Sequence, residues 1–112
     1  MARGGFPGMG MGGNMQQLMR QAQKMQQDVQ RLQQEISERE FTAAAGGGVV
    51  KATVLGSKVV KAIEIDPACV DPDDVEMLQD LVMAAVNEAL RMADETMAAE
   101  MNRVTGGMNI GF

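Results

Sequence analysis

Residues 14–38 read NMQQLMRQAQKMQQDVQRLQQEISE, and the order of the apolar residues within them decides the fold. Met15, Leu18, Ala22, Met25, Val29, Leu32 and Ile36 follow one another at alternating spacings of three and four. That alternation is a heptad a/d seam, which one face of an α-helix presents and a strand does not. Nine glutamines between Gln16 and Gln34 fill most other positions, and neither Gly nor Pro interrupts the run before Gly46. Asn14 is placed to cap the start. The reading is a long amphipathic helix, roughly 38 Å for 25 residues at the usual rise.

Before this helix, residues 1–13 hold six Gly, with Phe6 and Pro7, and no periodicity. They are expected to form a flexible tail, leaving 14–107 as a single domain and 108–112 as a short C-terminal tail. After the helix the period changes from helical to alternating. Glu40 to Ala45 reads as a weak first strand, ended by Gly46-Gly47-Gly48, and Val49 to Leu55 as a clear second one. Gly56-Ser57 suits a two-residue type II′ turn, and Lys58 to Asp66 follows as the third strand. That turn sets Val54 opposite Val59 and Val50 opposite Ile63 on an apolar face, with Lys51, Thr53 and Glu64 on a largely wet one.

The last element is a second long helix. Asp71 is read as its N-cap, with Pro72 at the first helical position and Asp73, Asp74 and Glu76 in the first turn. Apolar positions run Val75, Leu78, Leu81, Val82, Ala85, Val86, Ala89 and Met92, and Gly106-Gly107 is expected to end the helix after Arg103. The fold class is therefore α+β, in the order helix, three-stranded antiparallel sheet, helix. Strands of seven residues span roughly 24 Å, whereas helices of these lengths run to roughly 38 and 50 Å. One small sheet cannot cover both apolar stripes. The residues expected to pack helix on helix, within the chain or across a homodimer, are Leu18, Ala22, Met25, Val29, Leu32, Leu81, Val82, Ala85 and Val86.

Composition narrows the chemistry. The 112 residues contain no His and one Cys, Cys69, which excludes a disulfide framework and Cys/His zinc sites. Without His, general acid–base catalysis lacks its usual agent. Cys69 lies in a Pro-bounded loop with no nearby cation to activate it, and reads as a small half-buried apolar residue. Asp71, Asp73, Asp74 and Glu76 could suggest a hard-metal site, but helix capping accounts for them. Gly46-Gly47-Gly48 is a turn and no phosphate loop, since no GK[ST] follows it. No enzyme activity, cofactor, metal or small-molecule substrate is expected. No apolar run reaches the ~18 residues of a membrane span, so the expected location is the cytoplasm and no membrane partner is expected.

Charge points to a partner. The net charge is −5, yet residues 1–61 carry eight Lys/Arg against four acids, and residues 62–112 carry two against eleven. On the first helix Arg20, Lys24, Gln27, Arg31 and Gln34 are spaced four, three, four, three, so they share the face opposite the apolar seam. A row of cations and amide donors suits a phosphate backbone, which accepts such contacts without sequence reading. The plainer reading is a solvated face with Lys24–Asp28 and Arg31–Glu35 pairs at i, i+4. Arg91 and Arg103 on the second helix complete the candidate DNA contacts. Scarce aromatics, three Phe with no Trp or Tyr, argue against stacking on single strands.

Several segments together resemble the YbaB/EbfC family. They are Gly46-Gly47-Gly48-Val49-Val50-Lys51, Ile63-Glu64-Ile65-Asp66-Pro67, Asp71-Pro72-Asp73-Asp74, the run from Leu78 to Ala89, the Thr105-Gly106-Gly107 ending and the Gly/Met-rich start. The resemblance implies a bacterial nucleoid-associated protein that binds double-stranded DNA as a tweezer-like homodimer. It also implies roles in nucleoid organisation, DNA protection or gene regulation, without catalysis or cofactor. The DNA-contact residues are inferred from the helical stripe and not from a family motif. A second class of function stays open, a protein-interaction module that uses the exposed Met/Leu seam, with DNA binding incidental.

Overall fold

The computed structural model describes residues 5–109, with side chains described for 14–106. Helix α1 (Gly5–Glu38) leads into strands β1 (Glu40–Ala45), β2 (Val50–Leu55) and β3 (Val60–Ile65), and helix α2 (Val75–Asn109) closes the chain. The strands form one antiparallel sheet in sequence order, with β2 in the centre. The molecule is a rod with principal extents of 88 × 24 × 16 Å.

Both helices are longer than the sequence suggests. Helix α1 begins at Gly5, so residues 5–13 of the expected tail are helical and Asn14 is interior rather than a cap. Pro7 falls in the first turn, where an N–H has no intrahelical acceptor and its absence costs little. Adding residues to an existing helix also escapes the nucleation penalty. For the same reason α2 runs through Gly106 and Gly107 to Asn109 instead of stopping at them. Its start is later than expected. Asp71 accepts from the Asp73 N–H at 2.9 Å in a turn, and the true cap is Asp74, whose carboxylate accepts from the Met77 N–H at 3.1 Å. The other member of the acidic loop, Asp66, caps a single 3-10 turn at Pro67–Cys69.

The hairpin between β2 and β3 also departs from expectation. Lys58 N–H donates to the Leu55 carbonyl and Leu55 N–H to the Val59 carbonyl, both at 2.8 Å, while Lys58 takes φ 72°. This is a three-residue loop, a β-turn followed by a left-handed residue. Gly56 is needed because a methyl group there would collide with the Ile36 carbonyl oxygen at the end of α1. The extra residue pairs Val54 with Val60 in place of Val59, and an irregularity beside Thr53 and Val54 shifts the register once more. Two one-residue shifts cancel in parity. Ile63 and Ile65 therefore lie on the apolar face as expected, opposite Ala52 and Val50, and Lys51, Thr53 and Glu64 lie on the other. On that outer face Thr53 is nonetheless buried, and its hydroxyl is 2.8 Å from that of Thr42.

Helix α2 lies across β1 and β2. Ala85, Ala89 and Ala93, spaced at i, i+4 and i+8, are fully or almost fully buried, and their methyls let the helix approach the sheet closely. Toward the base of α1, Leu32 and Ile36 join Phe41, Ala43, Val54, Ala89 and Ala93 in one cluster. Val50, Ala52 and Ala85 form a second, against which Leu78, Leu81, Val82, Val86 and Cys69 pack. The all-glycine turn between β1 and β2 fits this core. Gly46, Gly47 and Gly48 all have positive φ, and a methyl on Gly46 would sit 2.8 Å from Leu81 Cδ2.

Helix α2 does not cover β3. Every residue of that strand is exposed, including Val60 (44%), Ile63 (41%) and Ile65 (39%) on the apolar face. On α2, Leu78, Val82 and Met83 with Gln79 line an open apolar hollow of about 500 Å³. The body of the molecule thus carries a half-covered core.

Candidate nucleic-acid interface

Helices α1 and α2 run antiparallel into an arm. Near the sheet, Ile36 shares a cluster with Ala93, and farther out Met25 and Val104 line one groove. Each helix advances eleven residues between those points, so the two keep step. Along the arm, the flank of α1 bearing Gln21, Lys24 and Asp28 lies beside α2. The seam grades from buried to bare. Leu32 and Ile36 are buried, Met25 and Val29 are half-buried, and Ala22, Leu18 and Met15 are exposed.

Away from the seam the row read from the sequence is exposed to solvent, with Lys24 at its edge also lining the groove beside α2. Arg20, Lys24, Gln27, Arg31 and Gln34 are all exposed on one helix face. Their local partners differ. Arg31 pairs with Asp28 at 2.9 Å, three residues back, and not with Glu35. Gln34 donates to Glu38 at 2.6 Å. Among the described residues neither Arg20 nor Lys24 has an ion-pair partner, so the expected Lys24–Asp28 pair is not formed. Beside the row, Gln23, Gln26, Gln27 and Gln30 line a shallow hollow walled by amides.

The two arginines of α2 are in a different position. Arg91 is held from both sides, with Nε donating to Glu88 at 3.0 Å and further contacts to Glu88 and Glu95. The side-chain hydrogen bond from Arg91, with its charge, holds the Glu88 carboxyl below its ordinary value, and Glu88 in turn raises the guanidinium. Arg103 pairs with Glu100. Both cations are neutralised within their own helix, so they offer less to a polyanion than their charge alone suggests.

Two further cations, outside the helical row, lack an ion-pair partner among the described residues. Arg39 lies at the joint between α1 and β1, and Lys51 on the outer face of β2, cross-strand from Glu64. Lys58 and Lys61 are taken by Asp94 and Glu40. No helical period signals Arg39 or Lys51, and only the tertiary pairing distinguishes them from Lys58 and Lys61.

The packing residues divide in the same way. Leu32 and Ala85 are buried inside the chain, and Leu81, Val82 and Val86 are half-buried against the second cluster. Leu18, Ala22, Met25 and Val29 instead line an open apolar hollow of about 400 Å³ with Gln21 and Gln26. Among the described residues no group of His, Cys, Asp and Glu is arranged to hold a metal, and no helix is long and apolar enough to cross a membrane.

Comparison with known proteins places this geometry. The sequence profile of the YbaB/EbfC DNA-binding family matches residues 11–108. The chain is 59% identical over 110 residues to a nucleoid-associated protein of Clostridium novyi, covering 98% of this chain and 96% of that one. It is 58% identical to a nucleoid-associated protein of Clostridium acetobutylicum, covering 98% and 97%. Among solved structures, an uncharacterized protein from Helicobacter pylori shares the fold, with a TM-score of 0.59 at 23% identity over 87% of this chain and 96% of that chain. On the extent of the profile match and the identity to these relatives, the chain belongs to the YbaB/EbfC DNA-binding family.

Proposed function

We propose that this chain is a nucleoid-associated protein that binds double-stranded DNA as a homodimer, gripping the phosphate backbone with the outer face of α1. Nucleoid organisation, DNA protection and gene regulation would follow from that occupancy, and its place of work is the nucleoid within the cytoplasm. The observation that carries the reading is the exposed row Arg20, Lys24, Gln27, Arg31 and Gln34, in which Arg20 and Lys24 have no ion-pair partner among the described residues. Backbone contacts of this kind give affinity without base reading and a steep dependence on salt. With a net charge of −5 per chain, binding must come from this local surface against the overall repulsion.

The homodimer is supported by the uncovered β3. Val60, Ile63 and Ile65 present a β-branched face that α2 does not reach, and Leu78, Val82 and Met83 offer an apolar hollow on α2. A second copy seated there would complete both half-covered cores. Ile63→Glu is expected to turn the dimer into a monomer by light scattering, and a dimer that survives this change would place the contact elsewhere. The test of DNA binding is a gel-shift titration on duplex DNA with wild type and the charge-reversed Arg20→Glu/Lys24→Glu/Arg31→Glu chain. Wild type is expected to shift DNA at low salt and the variant to fail. An unchanged shift by the variant would remove the stripe from the reading.

A second reading draws on the exposed Met15, Leu18 and Met19, which suit a protein-interaction module. No wild-type shift at low salt and high protein concentration would favour it.

A further inference from the structure

The hollow on the arm has the outline of a coiled-coil socket. A knob from a facing helix enters a hole made by residues i, i+3, i+4 and i+7. Leu18, Gln21, Ala22 and Met25 make one such hole, and Ala22, Met25, Gln26 and Val29 make the next; together they are the complete lining of the hollow. The same outline recurs on the flank, but there all four walls are glutamines. Of these two outlines on α1 the seam hollow is the one with an apolar floor, with Ala22 between Leu18 and Met25.

The occupant can be read from the rims. The positions flanking the seam over this stretch are Asn14, Met19, Gln21 and Gln26, all uncharged, and Asp28 is the first charge met on the way to the body. A facing helix with charged flanks would gain no ion pair here, whereas a second copy of the same seam meets no like-charge repulsion and supplies Leu18 and Met25 as matching knobs. Arg20 and Arg31 lie on the opposite side of α1 and Lys24 at the edge of that face, so pairing two seams leaves all three exposed.

We propose that the α1 seam from Met15 to Val29 docks against the same seam of a chain in another dimer, joining dimers arm to arm. Two duplexes, or two stretches of one, are then held on the outer faces of the paired arms. This rests on the dimeric DNA-binding reading above. The contact spans about two heptads and is weak in isolation, becoming effective when DNA concentrates several dimers.

The test places one cysteine at the floor of the socket. In a Cys69→Ser background, full-length Ala22→Cys is treated with a short bismaleimide, with and without duplex DNA, and compared with Gln27→Cys on the outer row. The expected result is chain-to-chain linkage at Ala22→Cys and none at Gln27→Cys, in particles larger than a dimer under native conditions. Adding Leu18→Gln and Met25→Gln should abolish the linkage, with helix content by circular dichroism and the gel shift of a single dimer retained. Equal linkage at the two positions, no linkage at high protein concentration, or linked particles of dimer size would overturn the proposal. The DNA-free reaction reads the seam alone, so its failure is distinct from a failure to bind DNA.

Discussion

The base and the tip of the seam on α1 obey one sequence rule and have opposite fates. Ile36, at the base, is fully buried between the sheet and α2, whereas Leu18, five seam steps away, is 58% exposed. The same spacing of three and four produces both. Periodicity therefore specifies a face that must be covered, and tertiary structure decides what covers it. At the base the cover is this chain's own body, and at the tip nothing among the described residues covers it.

That contrast predicts its largest consequence directly. Ile36→Ala empties a fully buried site and should cost ~2–5 kcal/mol in denaturant unfolding at fixed protein concentration, while Leu18→Ala should stay within ~0.5 kcal/mol. Equal costs at the two positions would mean that the tip is as well packed as the base. The next test strikes the contact that holds the base in place. Gly56→Ala forces a methyl against the Ile36 carbonyl, an overpacking expected to cost ~1–3 kcal/mol. A thermal midpoint unmoved by Gly56→Ala would show that the end of α1 yields easily.

The start of α2 anchors the body side of the comparison. Asp74→Ala removes the cap and should cost ~1 kcal/mol, while Asp71→Ala, which loses only a turn contact, should cost less. The reverse order in unfolding experiments would restore Asp71 as the cap.

Farther along α2, the pair of Glu88 and Arg91 carries the smallest effect. The carboxyl of Glu88 sits below its ordinary value of 4.5 because of Arg91. A depressed acid contributes stability that is present above the unfolded value and lost as pH falls through the folded one. Glu88→Gln should therefore lower stability slightly at neutral pH, with the difference from wild type closing as pH falls below about 4.5. The same loss of stability at neutral and acid pH would show that Glu88 acts through packing.

Much of this architecture was legible beforehand. The order of elements follows from the change of period, and the bounds of β1 match the sequence reading. The hairpin was not legible, because Gly56-Ser57 fits a two-residue turn locally and only the approach of Ile36 and the left-handed Lys58 make it three. Nor was the bare strand, since Val59, Ile63 and Ile65 keep the parity of any half-buried strand and nothing local says that α2 stops short of β3. In the interface, the face shared by Arg20, Lys24 and Arg31 was readable from spacing. Which cations stay unpaired was not, because acids three residues back and four ahead compete and Arg31 pairs with Asp28 in place of Glu35.

The most direct test of the account is the salt dependence of duplex binding by anisotropy, for wild type and for Arg20→Gln/Lys24→Gln. Each phosphate contact contributes ~0.9 to the slope of log affinity against log salt, so removing four cations from a dimer should flatten it by up to roughly 3.6. That flattening, with a loss of affinity spread evenly over DNA sequences, is the predicted result. An unchanged slope and affinity would contradict it and move the DNA contact off the outer face of α1.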